Sequence, residues 1–107
     1  MQDAVLEVAI LHVVSGEEAL FESAFAEAQG IIAGMEGYIG HELQRCIEQP
    51  NQYVLLVRWR TLNDHTVGFR QSAGYQQWKA LLHHFYDPFP VVEHYLPVSK
   101  GGHYGPA

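Results

Sequence analysis

The sequence predicts an α+β fold of the ferredoxin-like type, with one antiparallel sheet and both helices on the same face. The first observation is that strand-type and helix-type runs alternate in the order β-α-β-β-α-β, the split arrangement of this fold. The second is that 107 residues suit one domain of ordinary size. We assign residues 1–98 to this domain and residues 99–107, which read SKGGHYGPA, to an irregular C-terminal tail.

The first half of the predicted fold is one strand followed by one helix. Residues 5–14 are rich in β-branched and aliphatic types and end in a Ser-Gly turn, which indicates a strand. Ser15 stands three residues before Glu18, the spacing of a capping box, so we expect a helix to begin here. Its apolar residues recur at steps of three and four from Leu20 to Ile32, and Gly34 is the expected left-handed stop.

The second half is a hairpin, two helices and a final strand. Residues 38–48 and 53–59 read as paired strands around a Gln-Pro-Asn-Gln turn. Thr61 then opens a short helix, and Ser72 is expected to cap a longer one. Residues 91–98 form the last strand-like run.

The strand patterns also predict an assembly. A sheet covered on one face should alternate apolar and polar residues, yet residues 5–14 and 53–57 are apolar at nearly every position. Both faces of the sheet should therefore be buried, and the chain's own helices can cover only one. We predict a homodimer in which two sheets pack face to face, since twofold dimers are the commonest assembly.

Charge and cysteine content exclude several classes of partner. Six basic against 12 acidic residues give a net charge of −6, which disfavours binding to nucleic acid or to an anionic membrane surface. No apolar run approaches the roughly 18 residues of a membrane span. The single cysteine, Cys46, has no internal disulfide partner and is expected to be a small hydrophobic strand residue in a cytoplasmic protein.

Histidine supplies the main candidate for chemistry. The sequence contains no P-loop, no GxGxxG, no HExxH and no CxxC pair, so we predict neither a cofactor nor a metal. Adjacent His83 and His84 diverge by about 100° around a helix and cannot share an inward metal site. His65 stands four residues before Phe69, so both can face the sheet, where a neutral imidazole could act as a general base. The alternative is a histidine that is hydrogen-bonded locally at the start of a helix.

Aromatic residues supply the candidate wall of a pocket. Trp59 ends the predicted third strand and Arg60 follows it. Their side chains point to opposite faces, so only one of them can face the helices. If Trp59 does, the other inward residues of its strand lie beneath aromatic residues of the two later helices. The same residues could form an ordinary core, because an aromatic stripe at helical spacing is first of all packing. The predicted substrate-binding residues are Trp59, Phe69, Tyr75 and Trp78.

Several stretches resemble a known family. The strand-ending Trp59, the pair Asp64-His65, the segment from Phe69 to Ser72, and the stretches GYIGHEL and PVVEHY together resemble the antibiotic biosynthesis monooxygenase family of dimeric α/β-barrel proteins. The resemblance extends from the first strand to His94-Tyr95. It implies a pocket between the sheet and the helices. Members of the family include oxygenases that use neither metal nor flavin and act on phenols, anthrones or quinols, so the resemblance implies an activity of this kind. It also implies a catalytic base, for which His65 is the candidate, and an anion partner, for which Arg70 is the candidate.

Two other functions stay open at this point. Haem-degrading proteins that share the fold have a site built from Asn, Trp and His. This chain departs from that pattern, because its first strand has no Asn, Phe69 stands at the Trp position and Lys79 stands near the His position. Trp78 with His83 or His84 would then have to substitute in a haem-binding or haem-degrading protein. The third possibility is a dimer that binds a small molecule without turnover, with a pocket filled by its own aromatic side chains.

Overall fold

The computed structural model describes residues 3–102 and contains four strands and two α-helices, joined by short helical turns. A π-helical turn, Asp64–Phe69, precedes the second α-helix, and a 3-10 turn, His83–Phe85, follows it. The main elements are β1 (Val5–His12), α1 (Glu18–Ala33), β2 (Tyr38–Arg45), β3 (Gln52–Trp59), α2 (Ala73–Leu82) and β4 (Val92–Tyr95).

The four strands form one antiparallel sheet in the order β2-β3-β1-β4. The register pairs Val5 with Trp59 across β1 and β3, and Leu6 with Tyr95 across β1 and β4. This order, with the first and third strands in the centre, confirms the predicted ferredoxin-like fold. The start of β1 therefore lies between the end of β3 and the end of β4.

The hydrophobic core lies between one face of the sheet and the two helices. Alternate strand residues point toward the helices, because successive side chains in a strand face opposite sides. On the helices, the buried residues recur at steps of three and four, and Leu20 is 64 % exposed on the outer side of α1. The core includes Leu11, Leu55, Val57 and Trp59 from the strands, Phe21, Phe25 and Ile32 from α1, and Trp78 and Leu82 from α2.

The opposite face of the sheet carries apolar side chains that no helix of residues 3–102 covers. Leu6 and Val8 of β1 and Leu56 of β3 are half-buried there, and Ile10 is 39 % exposed. A groove of about 660 Å³ runs along this face between Leu6, Val8 and the segment that follows β4. The predicted pairing of two such faces stays a prediction.

Two of the predicted helix signals are wrong and one is confirmed. Ser15 is exposed and does not cap α1, which begins at Glu18; instead the Glu18 side chain accepts a hydrogen bond from the backbone N–H of Gly16 (3.0 Å). Gly34 has a right-handed φ of −88°. Ser72 is the N-cap of α2, as expected, and its hydroxyl accepts from the N–H of Tyr75 (3.1 Å).

The chain after β4 leaves the sheet sooner than the apolar pattern suggested. β4 ends at Tyr95, and residues 99–102 of the predicted tail form neither helix nor strand. Residues 103–107 of that tail lie outside the described residues. Within residues 3–102, no helix combines the length and the apolar character needed to cross a membrane.

Candidate functional site

A cavity of about 370 Å³ lies between the sheet and the helical layer. Inward residues of β1, β3 and β4 form its floor, and residues from the π-helical turn, α2 and the 3-10 turn form its walls. Most of the lining side chains are aromatic or aliphatic. The polar and charged side chains in the lining are Glu7, His65, Arg70, Tyr75, His83 and Tyr86.

Glu7 is the buried acid of this cavity. It follows the inward register of β1, next to Ala9 and Leu11, and only 5 % of it is exposed. Trp59 of β3, which is fully buried, donates its indole Nε1–H to Glu7 Oε1 (2.9 Å). A buried carboxylate requires such a partner, because its desolvation is otherwise expensive.

His65 reaches the cavity through the π-helical turn. The turn is held at its start by Thr61, whose hydroxyl accepts from the N–H of Asp64 (3.1 Å). His65 is 3 % exposed and stacks on the indole of Trp59, with 5.2 Å between ring centroids and 20° between planes. Phe69 lies 6.2 Å from the imidazole, so the wider π-helical turn still brings these two residues to one side.

Both ring nitrogens of His65 have a polar neighbour. Nε2 lies 3.3 Å from Glu7 Oε1. Nδ1 is hydrogen-bonded to Nε2 of His94 on β4 (2.8 Å). His94 does not line the 370 Å³ cavity; it lines a second cavity of similar volume beside Thr61 and Leu62. The polar groups therefore form a chain, Trp59–Glu7–His65–His94, which leads from the cavity floor to the edge of the sheet.

Burial opposes charge on both central groups of this chain. Desolvation raises the pKa of Glu7 from 4.5 to about 6, although the hydrogen bond from Trp59 and the charge of Arg70 act in the opposite direction. Desolvation, with the charges of Arg70 and His94, lowers the pKa of His65 from 6.5 to about 3. The pKa of His94 is lowered as well, chiefly by burial. At neutral pH, His65 and His94 are therefore neutral, and Glu7 is ionised but close to its pKa.

The structure brings most of the predicted site residues together. Trp59 lies beneath the floor and touches the cavity residues through its ring and its N–H. Tyr75 and Trp78 pack edge-on against Phe69, at 5.2 and 5.7 Å between centroids. The predicted residues that line the cavity are His65, Phe69, Arg70, Tyr75 and Trp78.

Sequence reasoning missed Glu7 and gave His94 only a structural role. The signal for Glu7 was present, because it is the one charged residue inside the apolar run VLEVAILHVV. The inward alternation of β1 then places it in the core. For His94, flanked by Glu93 and Tyr95, no local pattern marks the partner, which lies 29 residues away in the sequence.

Among residues 3–102, no three His, Cys, Asp or Glu side chains are arranged to hold a metal ion. His83 lines the cavity and packs edge-on against Phe89, whereas His84 is exposed. The two adjacent histidines thus point to different surroundings.

Comparison with known proteins identifies the family. Residues 4–81 match the family model described as antibiotic biosynthesis monooxygenase. The chain belongs to the antibiotic biosynthesis monooxygenase family. This confirms the resemblance seen in the sequence, and membership supports a monooxygenase activity.

Relatives of this family member include bacterial proteins that match over nearly the whole chain. The uncharacterized protein YczJ of Bacillus subtilis (strain 168) is 57 % identical over 94 residues, 88 % of this chain and 99 % of YczJ. A Bordetella bronchiseptica protein named for the same family is 38 % identical, with a TM-score of 0.87, and the match covers 92 % of this chain and all of that one. SnoaB, a cofactor-independent oxygenase from Streptomyces nogalater, shares the fold at 24 % identity and a TM-score of 0.70, over 97 % and 100 % of the two chains.

Proposed function

We propose that this protein is a cofactor-independent monooxygenase that oxidises a small phenol, anthrone or quinol in the 370 Å³ cavity. The observation that carries the proposal is a mostly apolar cavity with an acid–imidazole pair, Glu7 on its floor and His65 on its wall. Cavities of about 300 to 1,000 Å³ that combine apolar walls with a few polar groups are typical small-molecule sites. The cytoplasm is the proposed location.

The proposed reaction begins with removal of one proton from the substrate at the Glu7–His65 pair, where the sequence had pointed to His65 as the base. The electron pair left on the substrate makes an electron-rich anion that can reduce O₂ directly. For an anthrone, this anion forms the new C–O bond, and the peroxide then loses the second C–H proton as its O–O bond breaks. The carbon becomes a carbonyl and the other oxygen atom leaves as water, so no external reductant is consumed.

The other lining residues match the demands of this step. Arg70 lies at the cavity with a positive charge, and its position supports a role as partner of the substrate anion. Phe69, Tyr75 and Trp78 offer aromatic faces and edges to a planar substrate. Together they would orient the substrate above Glu7, and orientation is itself a large part of catalysis.

Oxygen uptake with a soluble anthrone, in the presence of a metal chelator, tests the proposed function. We expect one O₂ consumed for each ketone formed, and a decrease of about 10²- to 10⁴-fold in His65→Ala, the usual range when proton transfer is disrupted. His84→Ala is the matched control, since His84 is exposed and lies outside the cavity. Saturable binding of the anthrone without oxygen uptake above the spontaneous rate would instead identify a binding protein without turnover.

We also propose that two copies pair through the outer face of the sheet. This face presents Leu6, Val8, Ile10 and Leu56, which no helix of residues 3–102 covers, and burying such apolar area stabilises association by about 25 cal/mol per Å². Sedimentation equilibrium should give a dimer mass at micromolar concentration, and Val8→Lys should shift it to the monomer mass. A monomer mass for the unmodified protein would refute the pairing.

A further inference from the structure

We propose that Oε2 of Glu7 is the atom that receives the substrate's proton, and that His65 and His94 are positioning residues for this carboxylate. His65 Nε2 lies 3.3 Å from Glu7 Oε1, and His94 is hydrogen-bonded to the other ring nitrogen of His65. This inference rests on the proposed function and deepens it, because it assigns the base within the Glu7–His65 pair. It gives His65 a different task from the one its sequence position suggested.

The two polar neighbours of His65 determine its tautomer. Its Nε2 lies 3.3 Å from Glu7 Oε1 in a site shielded from water. A bare nitrogen lone pair so close to a carboxylate oxygen would be repelled, so Nε2 carries the ring proton while Glu7 is ionised. Nδ1 then has no proton and must accept the 2.8 Å hydrogen bond from Nε2–H of His94. In this state His65 has no free lone pair with which to remove a proton.

The two carboxylate oxygens of Glu7 have different surroundings. Oε1 accepts the indole N–H of Trp59 and faces the N–H of His65. No hydrogen bond within residues 3–102 reaches Oε2, and no buried side-chain oxygen in that part of the chain lacks a partner. Glu7 lines the cavity, and Oε2 is the oxygen of its carboxylate that the contacts with Trp59 and His65 leave free. It is the basic atom that a bound substrate would meet.

The proposed proton step balances in charge. The substrate's O–H or C–H bond breaks, an O–H bond forms on Glu7 Oε2, and the electron pair remains on the substrate. The negative charge thus moves from Glu7 to the substrate anion, within the field of Arg70, which lines the same cavity. His65 keeps its proton throughout, and its neutral ring stays beside Oε1, with 3.3 Å between Nε2 and Oε1.

His94 acts through His65 rather than on the substrate. It lines the second cavity and not the first, so replacing it leaves the substrate's walls unchanged. A glutamine at this position retains an N–H donor for His65 Nδ1, whereas a phenylalanine retains a ring without a donor. This pair of substitutions separates the hydrogen bond from simple packing.

The tautomer is tested by ¹⁵N NMR of the imidazole side chains at pH 7.5, with the His65 signals assigned by their loss in His65→Asn. We expect His65 to carry its proton on Nε2, with Nδ1 as an acceptor. A proton on Nδ1 with a bare Nε2 toward the cavity would make His65 the base and overturn the proposal. This readout requires no turnover, so absence of oxygen uptake would count against the proposed function while the tautomer result stands separately.

Kinetics of the intact protein tests the roles. Glu7→Gln, which keeps the oxygen acceptor for Trp59, should lower kcat by about 10²- to 10⁴-fold while substrate affinity stays within threefold. His94→Phe should lower kcat about tenfold with KM unchanged, which is the lower end of the range for residues that orient an active-site group. His94→Gln, which keeps an N–H donor, should retain a kcat close to that of the unmodified protein. Near-normal kcat in Glu7→Gln would overturn the assignment of the base. Equal kcat values for the Phe and Gln variants of His94 would overturn its positioning role.

Discussion

Glu7→Gln should change how the stability of this protein depends on pH. Glu7 is 5 % exposed, and the pKa of its carboxyl rises from 4.5 to about 6 on folding. Between these values the folded chain binds more protons than the unfolded chain, so the contribution of Glu7 to stability falls as pH rises. One pKa unit corresponds to about 1.36 kcal/mol, and the loss is therefore about 2 kcal/mol, complete above pH 6.

The free energy of unfolding, measured by urea denaturation from pH 4 to pH 7.5, gives the test. Glu7→Gln removes the titrating group but keeps its shape, so its stability relative to the unmodified protein should improve by about 2 kcal/mol from pH 4 to pH 7.5. His65 titrates in both proteins, and its lowered pKa makes both less stable as pH falls toward 3. The difference between the two curves isolates Glu7.

Glu27→Gln is the control for this experiment, since Glu27 is exposed on α1 and undergoes the same chemical change. Its difference from the unmodified protein should stay constant over the same pH range. A constant difference for Glu7→Gln, or one that moves in the other direction, would show that burial does not raise the pKa of this carboxyl. The reasoning about the cavity floor would then be refuted.

Three further substitutions probe single features. Trp59→Phe removes the donor to Glu7, so urea denaturation at pH 7 should show a loss of about 1.5 to 3 kcal/mol, and the pKa of Glu7 followed by NMR should rise above 6. Ser72→Ala removes the α2 cap and should cost about 1 kcal/mol by the same assay. Gly37→Ala should cost at least 1 to 2 kcal/mol, roughly the penalty for a left-handed residue, because Gly37 has a φ of +83° and the new methyl group would collide with Asp64.

Matched changes show whether these effects are local. Ser23 lies on the exposed side of α1, away from any cap. Ser23→Ala should therefore change the free energy of unfolding by no more than about 0.5 kcal/mol. Gly30→Ala lies where a methyl group meets nothing within 4 Å, and it should stabilise α1 by about 0.5 to 1 kcal/mol. An unchanged pKa of Glu7 in Trp59→Phe would contradict the hydrogen bond assigned to Trp59. The contacts assigned to Ser72 and Gly37 would be contradicted if their alanine variants lost no more stability than Ser23→Ala does.

Local chemistry explains why much of the fold was predictable. Residues 5–14 and 53–59 have the β-branched and aliphatic composition of strands, and Ser72 caps the helix that follows it. Errors arose where two local solutions compete. Before α1, the side chain of Glu18 accepts a hydrogen bond from the N–H of Gly16, and the expected cap by Ser15 does not form. After α1, the residue with a left-handed backbone is Gly37 rather than Gly34.

By itself, the sequence determined the order of the elements, the nearly continuous apolar character of the first and third strands, and the spacing that allows His65 and Phe69 to share one side of their helical turn. Only the tertiary structure decided which of these residues act on one another. Glu7 and Trp59 are 52 residues apart, and His65 and His94 are 29 apart. Periodicity fixes the side to which a residue points, but strand order and register fix its neighbour across the sheet. The acid at the cavity floor and the tautomer of its histidine therefore follow from the register that sets β1 between β3 and β4.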